Sequence, residues 1–111
     1  MPLYPQPGTV SSDFSSLGYI TVSTAGKTFR IKEGSNACMG TATLAAGTAT
    51  VSTTAVTATS RIALTVQSLG TVTAPKALAV TARSAGVSFT ITSADATDTS
   101  VVAWVLIEPG P

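Results

Sequence analysis

Apolar and polar positions alternate with a period of two through most of the chain. From Gly40 onward the alternating runs are TATL (Thr41 to Leu44), TATVSTT (Thr48 to Thr54), RIALTVQS (Arg61 to Ser68), ALAVTAR (Ala77 to Arg83), VSFTITS (Val87 to Ser93) and VVAWVLI (Val101 to Ile107). Small and β-branched residues at this period build strands with one buried face. Upstream, Tyr19 to Val22 and Thr28 to Lys32 flank the turn Thr24-Ala25-Gly26-Lys27 and read as a hairpin. Further turns fall at Glu33 to Asn36, Ala45 to Gly47 and Ser84 to Gly86, and a loop with Gly70 and Pro75 spans Leu69 to Lys76. Interleaved Thr and Val oppose helix, although Ala alone would favour it. The pattern therefore predicts an all-β chain of about eight strands, an antiparallel β-sandwich of jelly-roll type. Its expected buried positions are Ile62, Leu64, Val66, Phe89, Ile91, Trp104 and Leu106.

Residues 1–17 break this pattern. Pro2, Pro5 and Pro7 exclude helix and regular sheet pairing. We read residues 1–17 as an extended arm and residues 18–111 as the β-sandwich domain. Tyr4 and Phe14 are the arm's large side chains and the candidate partner-binding anchors, on a capsid shell or a neighbouring subunit. The alternative is an arm that wraps its own domain.

At 111 residues the chain has the size of one domain. Ala, Thr and Val bury little area each, and aromatics make up only 5% of the sequence, so the core is thin and association is expected to complete it. Six Lys and Arg face five Asp and Glu, a net charge of +1, which gives no electrostatic footprint for nucleic acid. Lys27, Arg30 and Lys32 are the one local excess and read as a solvated strand face. The start MPLYPQPG does not resemble a signal peptide, and no apolar run reaches membrane-spanning length.

The chain contains no His, which removes a Ser-His-Asp arrangement and most soft-metal chemistry. Cys38 stands alone and reads as a small hydrophobe. Asp95 and Asp98 are close enough to touch one hard cation, but a Ca²⁺ site takes six to eight oxygens, so they read as turn carboxylates. The glycines mark turns and form no phosphate-cradling motif. Threonine rows without a short regular repeat argue against ice binding. Trp104 sits in an apolar run, which suits a core better than a sugar platform. The residues thus supply no catalytic, metal or cofactor site.

The stretches GTATL, GTATVSTTAVTATSRIALTVQS and VTARSAGVSFTITSADATDTSVVAWVLIEP, in that order, resemble a β-rich module of tailed-bacteriophage virion proteins. The likeness covers about two-thirds of the chain, roughly Glu33 to Pro109. It implies a structural role on the virion, often as a homotrimer, and no catalytic residues. A short chain with its own start then suggests a capsid decoration protein bound to the major capsid protein at the capsid surface. The alternative is the tip of a head or tail fibre that binds a host receptor.

Overall fold

A computed structural model describes residues 18–110. The chain divides into two compact units, residues 1–30 and residues 31–111. The arm and its anchors Tyr4 and Phe14 lie outside the described residues, and of the expected boundary at residues 17 and 18 only Gly18 is described.

The second unit holds six strands: β1 (Met39–Thr43), β2 (Thr48–Ser52), β3 (Arg61–Ser68), β4 (Leu78–Ser84), β5 (Ser88–Ser93) and β6 (Val101–Ile107). They form two antiparallel three-stranded sheets. Sheet A has the order β1-β6-β3 and sheet B the order β2-β5-β4. The described residues contain no helix. Each of the last six expected strands is present, with ends shifted by one or two residues.

Two expectations need correction. The hairpin of Tyr19 to Val22 and Thr28 to Lys32 is not a pair of strands. Its turn does form, with Gly26 at φ +82° and the Lys27 amide donating to the Thr24 carbonyl at 3.1 Å. The flanking segments join no ladder, and Tyr19 and Phe29 remain 82% and 66% exposed. Alternation supplies strand propensity, but a strand persists only where a neighbour takes its backbone groups and a core takes its apolar face. Among the described residues, six strands in two sheets of three also fall short of the eight-stranded double Greek key of a jelly roll.

The central strands carry the core. Phe89 and Ile91 of β5 meet Val102, Trp104 and Leu106 of β6, and Leu44 and Val56 close the cluster from connecting segments. Phe89 and Trp104 pack edge to face, with ring centres 5.2 Å apart and planes at 78°. Each buried side chain of this size contributes roughly 1.5–3 kcal/mol. Ile62, Leu64 and Val66 alternate inward as expected, yet are only half-buried. β3 is an edge strand, and the facing edge β4 contributes only Leu78 and Val80, themselves half-buried.

Connections are held by backbone geometry. Ala46 and Gly47 both have positive φ, 51° and 79°, as a two-residue reversal requires, and Ala45 and Thr48 exchange hydrogen bonds at 2.8 and 3.1 Å. Past this reversal the chain crosses from sheet A to sheet B.

Candidate functional site

Hydroxyl-bearing strand ends place the carboxylates. Asp98 lies in the crossing from β5 to β6 and is fully buried. Its Oδ1 accepts from the Ser100 hydroxyl at 2.6 Å and the Ser100 amide at 2.9 Å, and its Oδ2 from the Ser93 hydroxyl at 2.7 Å. The Ser100 and Ser93 hydroxyls hold the Asp98 carboxyl below its ordinary range, against the opposing effect of burial. Asp95 accepts from the Thr97 hydroxyl at 2.6 Å and amide at 2.8 Å, which lowers its carboxyl likewise. Asp95 and Asp98 therefore do not converge on a common point; each is tied to its own donors. Among the described residues no group of three or more His, Cys, Asp or Glu is placed to hold a metal ion.

The opposite end has a comparable cluster. Glu108 accepts from the Ser60 hydroxyl and, at 2.5 Å, from the Thr57 hydroxyl. These donors, Ser60 first, lower its carboxyl. Arg83 donates to the Ser60 carbonyl at 2.8 Å and the Thr57 carbonyl at 3.3 Å, and Arg61 to the Thr59 carbonyl at 2.8 Å. Residues 57–60 are thereby stapled between strand ends. Sequence reasoning passed over Thr57, Ser60 and Glu108, because only the fold brings residues 48 and more positions apart into contact.

Several open features remain, the widest a shallow hollow of about 650 Å³ along residues 31–38. A groove of about 420 Å³ runs along the edge between β3 and β4, over Ile62, Leu64, Val66, Leu78 and Val80, with Lys76 and Arg83 beside it. Arg83 is already engaged with the Ser60 and Thr57 carbonyls. A second hollow of about 300 Å³ is bordered by Glu33, Gly40, Val51 and Trp104. Gly40 opens it, since a Cβ there would stand 3.1 Å from the Trp104 ring. Trp104 is core, as its apolar surroundings foretold, but its buried Nε1 has no hydrogen-bond partner. A third hollow of about 280 Å³ lies on the outer face of sheet A, around Thr41, Ala63, Thr65, Ala103 and Val105. Cys38 is exposed, and Lys27, Arg30 and Lys32 are exposed as well.

The described surface thus offers faces and shallow hollows, with its aspartates and Glu108 committed to local hydroxyl donors. No curated protein and no solved structure matches the chain. A family model described as K1 capsule-specific polysaccharide lyase, C-terminal domain, matches residues 36–107, well over half of the chain and all six strands. The chain belongs to the family of the K1 capsule-specific polysaccharide lyase C-terminal domain.

Proposed function

We propose that this chain is a non-catalytic β module of a phage tail spike or fibre, which works by binding and by self-association as a homotrimer. The observation that carries the reading is the family match, whose span coincides with the two-sheet unit. The site geometry agrees with it. Asp95, Asp98 and Glu108 serve as hydrogen-bond acceptors that fix loops, which leaves them poorly placed as acids or bases toward a substrate. The family match lends no support to the capsid-decoration expectation or to the major capsid protein as partner.

Labelling the protein on intact particles tests this reading. Label confined to the tail supports a spike or fibre module, whereas label spread evenly over the head shell would overturn it in favour of decoration. Incubating the purified chain with capsular polysaccharide and following chain length and unsaturated products tests the non-catalytic part. Depolymerisation at any rate above the buffer control would refute it.

A further inference from the structure

We infer that the outer face of sheet A is the surface on which copies of this chain associate, side by side with their strands parallel, around an axis along the strands. The inference deepens the self-association in the reading above by naming its surface.

The two sheets differ on their outer faces. On sheet B the central strand presents Ser88, Thr90 and Thr92, flanked by Thr48, Thr50 and Ser52 on β2. Hydroxyls on this sheet pair with one another, as in the Thr50–Thr90 and Thr81–Thr92 contacts at 3.4 and 2.6 Å. On sheet A the central strand presents Val101, Ala103 and Val105, and Ile107 follows at 61% exposure. Inner positions of β6 are Val102, Trp104 and Leu106, so this strand is apolar on both faces. A strand of that kind belongs inside a structure covered on two sides, and the chain itself covers one.

The rim identifies the occupant as a second copy. Glu33 bridges to Met39 in parallel sense and so extends sheet A beyond β1, level with Val105. Arg61 stands on the other edge strand, level with Ile107. The face therefore carries an anion on one edge and, on the opposite edge, a guanidinium with one nitrogen on its own Thr59 carbonyl and its other donors open, within two residues of the same height. Rotation about an axis along the strands brings the β1 edge of one copy beside the β3 edge of the next, and Glu33 then meets Arg61. Antiparallel packing would send them to opposite ends. Size points the same way. Three strands of about seven residues give a flat footprint of roughly 350 Å². A standard interface uses about 800 Å² per partner. A closed ring that also uses both edges buries more than a single face-to-face pair.

The full-length chain is measured by sedimentation and mass photometry, with circular dichroism to confirm folding. Ala103→Arg places a charge at the centre of the face and is expected to weaken association by roughly a hundredfold or more. Thr90→Arg, at the matching place on sheet B, is expected to leave association unchanged. Glu33→Arg and Arg61→Glu are each expected to weaken association, and the double variant to restore it. A wild-type chain that stays monomeric at high concentration would overturn the inference, as would equal behaviour of Ala103→Arg and Thr90→Arg. Failure of the double variant to recover would overturn the parallel arrangement. A monomer that still labels the tail would leave the spike or fibre reading standing while removing this one.

Discussion

Asp98 shows how a buried charge is kept in a small β domain. Three donors from Ser93 and Ser100 surround its carboxylate, and the Gly47 amide donates to its main-chain carbonyl at 3.0 Å. The carboxyl is held below its usual range, so its ionised form is favoured by folding. Its contribution is complete above the unfolded value near pH 3.9 and is lost as pH falls through the lower folded value. Thermal unfolding of the wild type is expected to drop steeply below about pH 4. Asp98→Asn is expected to be less stable at neutral pH and to show a flatter acid limb, because one of its two acceptors becomes an NH₂ group facing a hydroxyl donor. Equal acid limbs for the two proteins would assign the effect elsewhere.

At the scale of elements, loops rather than strands carry the closest approaches. Gly70 lies against Thr99, and a Cβ there would overlap both the Thr99 backbone and its hydroxyl. The Gly70 amide donates to the Ser100 hydroxyl at 3.2 Å, and Thr71 bonds Thr99 and Thr97 at 2.9 and 2.5 Å. Gly70→Ala must push the 69–76 loop off the β5–β6 crossing, and a lowered melting temperature is the expected result. Gly86→Ala supplies the comparison, since open space surrounds that position and only its φ of +73° resists a side chain. The larger loss is expected at Gly70. The segment from Tyr19 to Lys32 tests a different property. It joins no sheet, whereas Arg61 and Arg83 lie in strands and donate to carbonyls. Brief trypsin treatment is therefore expected to cut after Lys27, Arg30 and Lys32 first, leaving a folded fragment that contains all six strands. Early cleavage at Arg61 or Arg83 would contradict this order.

At the scale of the whole molecule, the two sheets supply a framework and the first thirty residues form a separate unit. Deletion of residues 1–17 removes none of the six strands and is expected to leave their unfolding transition in place. If Tyr4 and Phe14 anchor the protein, the same deletion is expected to weaken its attachment to particles, as large aromatics concentrate interface energy. Three prolines limit the freedom lost on docking and strengthen that expectation. Unchanged attachment would transfer the anchor to the β domain, and to the outer face of sheet A before any other surface.

Local chemistry alone determined where the strands from Met39 onward lie. Period-two alternation and the turns at Ala45 to Gly47 and Ser84 to Gly86 are short-range features, and they survive in β1 to β6. The core positions Phe89, Ile91, Trp104 and Leu106 were legible for the same reason, because the largest side chains alternate with smaller ones. Sheet membership was decided only by the tertiary structure. The same alternation occurs in Thr28 to Lys32 and in Ser88 to Ser93, yet only the second finds neighbours on both sides. Likewise Ile62, Leu64 and Val66 carry an inward pattern, but the position of β3 at a sheet edge leaves them half-buried. The outer face of sheet A emerged the same way. VVAWVLI reads as one apolar run, and only pairing of β6 between β1 and β3 shows which of its side chains the chain buries and which it leaves on the outer face. Backbone pairing joins residues far apart in sequence, and alternation, being local, carries no record of which partner a strand will find.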